Sequence, residues 1–143
     1  MTGEGWTRVA AYAICLDATS RILLCRIAPS VRPGAVWTLP GGGLDFGEPP
    51  AVAVLRELAE ESGFDGELIE LADVSDRLFP GPVDGIDGKM HAIRIVYRVR
   101  IVGGELRDEV DGSTDTCAWF TLKDASRLHL TELARRAVRS AGG

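Results

Sequence analysis

The chain is poor in the residues that several protein classes depend on. Of 143 residues, three are cysteine, two are histidine and 6% are aromatic. Cys15, Cys25 and Cys117 are an odd number at wide spacing, each among apolar neighbours, which predicts reduced, mostly buried thiols. A disulfide framework and a zinc site are both excluded on that reading. His91 and His129 have no partner at metal-ligand spacing and read as surface or strand-end residues. Sixteen Lys and Arg against twenty-one Asp and Glu give a net charge of -5, which excludes a broad basic face and with it a nucleic-acid partner. The apolar runs, such as 9–16 interrupted by Tyr12, fall short of the roughly 20 residues of a membrane span. The start MTGEGWTR has neither a basic n-region nor an apolar h-region, so a cytoplasmic location is expected. What remains is 45% hydrophobic and 26% charged, the composition of one soluble globular domain over 1–143.

Glycine marks the joints of that domain, clustering at 41–47, 81–88, 103–104 and 112. Residues 9–16 and 21–27 read as two strands joined by the polar turn Asp17-Ala18-Thr19-Ser20, a first hairpin. Trp37-Thr38-Leu39 reads as a short strand stopped by Pro40 and three glycines. Pro49-Pro50 followed by AVAVLRELAEESG places apolar residues at 51, 54, 55 and 58, the spacing of an amphipathic helix that Gly63 ends. Residues 68–78 and 90–102 read as long strands, and in the second Ile93, Ile95, Tyr97, Val99 and Ile101 alternate with Arg94, Val96, Arg98 and Arg100, with one face toward solvent. A turn at Gly103-Gly104 into a short strand, a strand over 117–122 and a basic helix over 128–138 complete the chain. Strands and helices mix without a βαβ rhythm, which favours an α+β sandwich around a mixed sheet.

Chemistry concentrates on the central helix. Glu57, Glu60 and Glu61 stand at i, i+3 and i+4, sharing a face away from the 51/54/55/58 stripe. Like charges at these spacings repel, and carboxylates in a last helical turn meet the negative end of the helix dipole. A hard divalent cation reverses both penalties. Around these acids, the segment GGLDFGEPPAVAVLRELAEESGF from Gly42 to Phe64 fits G-x5-E-x7-R-E-U-x-E-E-x-G-U, with U a bulky apolar residue, at every position. Chance gives such a match with a probability on the order of 10⁻⁷.

With this segment the chain resembles the Nudix hydrolases. Leu23-Leu24-Cys25-Arg26 is similar to the family's strand ending in arginine, and Trp37-Thr38-Leu39-Pro40-Gly41-Gly42 to the run leading into the motif. The resemblance implies an α/β/α sandwich with a central mixed β-sheet, in which the glycine loop and the helix hold Mg²⁺, or Mn²⁺, against a diphosphate. Carried over to this sequence, Glu57, Glu60 and Glu61 are the metal ligands, with the Gly41 carbonyl as an additional one. Arg56 pairs with Glu48 and orients the ligand glutamates. Gly41 and Gly42 let backbone approach metal and phosphate where a Cβ would intrude. Arg26 is expected to touch a substrate phosphate or base. The general base is either a glutamate of the motif or a later acid among Asp108, Glu109, Asp111 and Asp115.

The implied reaction is Mg²⁺-dependent hydrolysis of a nucleoside diphosphate linked to another group. The short chain with LLCR and WTLPGGG looks like the branch that cleaves nucleoside triphosphates, canonical or oxidised, to the monophosphate and pyrophosphate. ADP-ribose or a nucleotide sugar is the alternative, and Pro80 lies near a proline of ADP-ribose-cleaving members. A nucleotide-sensing module without hydrolysis is a reading from another class, though such proteins usually carry a broken motif. Trp37 and Trp119 are expected in the core, and the loops 28–36 and 79–90 are where substrate selection belongs. A small-molecule nucleotide is the expected partner, and a homodimer is an assembly the resemblance admits, with strand 90–102 as its edge.

Overall fold

The computed structural model describes residues 5–142. Its strands are β1 (Gly5–Ile14), β2 (Ile22–Ile27), β3 (Trp37–Thr38), β4 (Gly41–Gly43), β5 (Phe64–Phe79), β6 (Lys89–Gly104) and β7 (Thr114–Phe120). The helices are α1 (Pro50–Ser62), α2 (Leu122–Ala125) and α3 (Glu132–Ala141). A four-stranded sheet runs β4-β1-β6-β5, mixed because β1 and β6 are parallel, and a three-stranded antiparallel sheet runs β3-β2-β7. Helices cover opposite sides of the strands, which is the α/β/α arrangement the sequence implied.

Two apolar clusters hold the layers together. Ala53, Val54 and Leu58 of α1 pack on Ala11, Ala13, Val99, Leu23 and Cys25. Leu133, Ala134, Ala137 and Val138 of α3 pack on Ile14, Val96, Ile22 and Leu24. Alternate residues of β2 therefore serve opposite helical layers, as the period of a strand requires. α1 begins with Pro50, whose missing N–H costs nothing in a first turn. It ends where Gly63 adopts φ 84° and donates its N–H to the Ala59 carbonyl.

Several expectations from the sequence need correction. β1 and β2 pair only at their tip, through the Leu16–Ile22 bridge, and then diverge into different sheets. The tip closes because Asp17 Oδ1 accepts from the N–H groups of Thr19 and Arg21 at 3.0 and 2.8 Å, a local bond that does not extend the pairing. The glycines after Pro40 continue as β4, hydrogen-bonded to β1. The short strand expected directly after Gly104 does not form: residues 105–113 carry no strand, and the segment docks on the end of α1, with Arg107 N–H bonded to the Ser62 carbonyl at 2.9 Å. The last helix starts at Glu132, capped by Thr131 Oγ1, which accepts from Ala134 N–H at 3.2 Å.

β6 lies between β1 and β5, so it is not an edge on which copies could pair. Its two faces are also not as the charge pattern suggests: the buried side is the one carrying Ala92, Arg94 and Val96. Arg94 is 6% exposed because its Nε donates to Ser75 Oγ at 3.2 Å. Its Nη2 lies 2.9 Å from Glu132 Oε2, an ion pair not aligned as a hydrogen bond.

The cysteines differ from expectation as well. Cys25 and Cys117 stand directly opposite in the β2–β7 register and are joined by a disulfide. Only Cys15 is a free thiol, and burial pushes its pKa up to about 12. The pairing is invisible in the sequence because 92 positions separate the partners and only strand register brings them together.

Gly41 has φ 148°, and a Cβ there would collide with the Ala11 carbonyl and Tyr12. Gly41→Ala should therefore pry β4 from β1 and cost about 2 kcal/mol or more of unfolding free energy in urea titrations. An unchanged midpoint would mean that β4 can shift without loss.

Candidate active site

The site forms where the β4 glycines meet the last two turns of α1. The helix is rotated so that its buried side carries Ala53, Val54, Leu58, Glu61 and Ser62. Glu61 thus leaves the outward face expected for all three acids and is 2% exposed. Its Oε1 accepts the Gly41 amide at 2.6 Å and its Oε2 the Thr114 hydroxyl at 3.1 Å. Burial, with Glu57 and Glu109 adding like charge, still pushes its pKa up to about 8. Glu57 is raised mainly by burial, while Arg56 pulls it back.

Arg56 organises the outer part. Its Nε and Nη2 each donate to the Glu48 carboxylate at 2.8 Å, a bidentate fork. Its Nη1 reaches Glu57 at 3.2 Å and Glu60 at 3.3 Å. This pair holds the Glu48 carboxyl down to about 2. One guanidinium therefore fixes three carboxylates. Among the described residues the acids are not gathered at metal-ligand spacing, since each is engaged by protein donors. The donor set nevertheless suits a hard cation: a carboxylate buried without a charged partner of its own, two more beside it, and a bare backbone at Gly42. A Cβ on Gly42 would lie 2.9 Å from Glu57 Oε1, so glycine keeps this cradle open.

The other residues singled out in the sequence separate. Arg26 binds Asp115 in a fork of 2.9 and 2.8 Å and lies 5.9 Å from the centre of the Trp37 ring. Of the later acids, Asp115 is thus occupied, and Asp108 accepts from Thr116 Oγ1 at 2.7 Å. Glu109 is the later acid whose pKa is raised, by burial and then by the charge of Glu60. Trp37 packs edge-on against Phe120 at 5.0 Å and Trp119 lies against Phe64, both partly buried and packed against the edge of the core rather than inside it as expected. His91 is exposed beside Asp76 at 2.7 Å.

A cleft of about 270 Å³ opens beside the acids, with Gly41, Gly42 and Glu61 in its wall. The loop after β2 contributes Val31 and Arg32, and β5 contributes Arg77 and Phe79, as expected for the two variable loops and their borders. Arg8, Arg94 and Glu132 also line it and were not singled out in the sequence. Arg94 carries no sequence signal beyond the alternation of 90–102, and Arg8 lies one residue before the first strand expected from the sequence, which the structure extends back to Gly5.

Residues 6–140 match the family described as NUDIX domain. The chain belongs to the Nudix hydrolase family. The solved structure of a MutT Nudix hydrolase from Burkholderia pseudomallei is 32% identical and aligns with 94% of this chain and 97% of that one, at a TM-score of 0.73. A human protein named 8-oxo-dGDP phosphatase NUDT18 is 31% identical over 131 residues, covering 85% of this chain and 37% of the relative. The 8-oxo-dGTP diphosphatase of Proteus vulgaris is 36% identical over 72 residues, or 50% of this chain and 63% of the relative. The chain thus spans less than two thirds of either curated relative. Among the described residues of this Nudix chain, no helix is long and apolar enough to cross a membrane.

The folded state favours protonated Glu61, so releasing its proton costs stability as pH rises from about 4.5 to about 8. Without divalent cations, urea midpoints should fall over this range and fall less steeply in Glu61→Gln, where Glu57 and Glu109 still contribute. Equal slopes in the two proteins would mean that Glu61 titrates as an ordinary carboxylate.

Proposed function

We propose that this Nudix chain is a divalent-cation-dependent pyrophosphohydrolase that cleaves nucleoside triphosphates, canonical or oxidised, to the monophosphate and pyrophosphate. The observation that carries the reading is the Glu61 carboxylate, buried and paired only with neutral donors beside Glu57 and Glu60. Such a group is costly in a folded protein unless a cation compensates it. Glu57, Glu60 and Glu61 would hold Mg²⁺, or Mn²⁺, with the Gly41 carbonyl as a further ligand. Bound there, the cation would neutralise phosphate oxygens and acidify an attacking water.

The chain's own residues supply the rest. Glu48 fixes Arg56, and Arg56 holds Glu57 and Glu60 on one side of the site, from which they would turn toward a cation as they release the guanidinium. Gly42 keeps the diphosphate within reach of backbone. Glu109, in the loop after β6, accepts the proton of the water that attacks phosphorus, and the P–O bond between the α- and β-phosphates breaks as the new one forms, leaving the monophosphate and pyrophosphate. The Arg26–Asp115 fork sits at the end of β2, where Arg26 can exchange its carboxylate for a substrate phosphate. Nucleoside phosphates appear in the names of both curated relatives, which supports the substrate class.

Nucleoside monophosphate formation should be measured by ion-exchange chromatography from canonical and 8-oxo nucleoside triphosphates, ADP-ribose, UDP-glucose and diadenosine polyphosphates, with and without Mg²⁺. Metal-dependent formation concentrated on the triphosphates is expected. Cleavage concentrated on ADP-ribose would overturn the substrate and keep the chemistry. Glu60→Gln should lower kcat by about 10²-fold or more and Glu109→Gln by about 10²-fold, each with an unchanged circular dichroism spectrum. Full turnover in Glu60→Gln would sink the ligand assignment.

A further inference from the structure

The register of the four-stranded sheet aligns Arg8 of β1, Ala92 of β6 and Arg77 of β5 in one row. Neighbouring strands lie about 4.8 Å apart, so the two arginine backbones stand about 10 Å apart with a single small residue between them. Ala92 is buried at 4% exposure and lines the cleft together with both arginines. The next row is Ala10, Arg94 and Ser75, and there the cation is already answered by Glu132 at 2.9 Å. Arg8 and Arg77 differ: among the described residues neither has an acidic partner. Arg77 instead rests on the Phe79 ring at 4.8 Å. The Arg8 guanidinium lies beside Gly43, where a Cβ would come within 3.1 Å of it.

Both arginines line the same cleft as Gly41, Gly42 and Glu61. A chain of net charge -5 thus keeps, among the described residues, two cations without an acidic partner next to its acidic centre. Lining one cleft, they fit an anion that both can reach. We infer that Arg8 and Arg77 form a clamp for one phosphate beyond the diphosphate held at the acids, and that they make the chain favour nucleoside triphosphates over diphosphates. The inference rests on the hydrolase reading for where the diphosphate lies. A diphosphate leaves this part of the cleft to water, whereas a triphosphate brings oxygens that accept charge-assisted bonds from each arginine. The named activities of the relatives divide on this point, one on a triphosphate and one on a diphosphate.

The test compares kcat/KM for dGTP and dGDP in the wild type, Arg8→Met, Arg77→Met, the double variant and Arg139→Met, a control at the far end of α3. The triphosphate-to-diphosphate ratio should fall about tenfold in each single variant and about a hundredfold in the double, chiefly through KM for dGTP. Arg139→Met should keep the wild-type ratio. An unchanged ratio in the double variant would overturn the clamp. Should the wild type hydrolyse neither nucleotide, the hydrolase reading fails, and calorimetry with inorganic tripolyphosphate decides the clamp separately. Weaker binding by the double variant than by the wild type then supports it, and equal binding overturns it.

Discussion

The carboxylate of Glu61 is the point on which this architecture turns. It belongs to α1, yet it accepts the Gly41 amide of one sheet and the Thr114 hydroxyl of the other. The backbone at the same residue is engaged too, with Cys117 Sγ 3.4 Å from the Glu61 carbonyl. Helix, glycine strand and β7 are thereby locked to each other through one buried acid. Burying a carboxylate is expensive, and the two neutral donors soften the cost without removing it, which is why its pKa still rises. Stability alone would favour an apolar residue at that position. Retaining the acid has a chemical use, because a carboxylate stripped of water is a strong ligand for a hard cation.

Electrostatic opposites lie side by side around it. Glu57, Glu60, Glu61 and Glu109 form the acidic side, and Arg8, Arg77 and Arg94 the basic side across Gly41 and Gly42. Arg56 sits behind the acids and neutralises part of their repulsion, while its fork to Glu48 keeps it from drifting toward a substrate phosphate. A polyanion carrying a divalent cation is complementary to both sides at once. Neither the metal nor the phosphate chain would be as well matched alone.

Much of this could be read directly from the chain. The spacing of apolar residues, the prolines and Gly63 define α1, since helix period and termini are local properties. The unbroken motif from Gly42 to Phe64 identifies the acids and the Arg56–Glu48 pair, because i, i+3 and i+4 neighbours follow from helix geometry. The surface position of His91 also agrees with simple expectation, while both tryptophans pack only partly buried against the core.

Other features depend on distances that a sequence does not encode. The Cys25–Cys117 bond, the Arg26–Asp115 fork and the bridge from Glu61 to Thr114 all join residues more than fifty positions apart. Arg94 looked like a solvent-facing arginine because alternation reports two faces without saying which one a helix will cover; α3 decided it. The same holds for the row of Arg8, Ala92 and Arg77, which exists only in the parallel register of β1 on β6 and the antiparallel register of β5. Local sequence therefore determined the helix, its acids and the glycine turn, whose geometry is set by neighbours along the chain. Tertiary structure alone decided which acid is buried, which later acid lies near the other carboxylates and which arginines share the cleft, because strand order and register are set by packing across the whole domain.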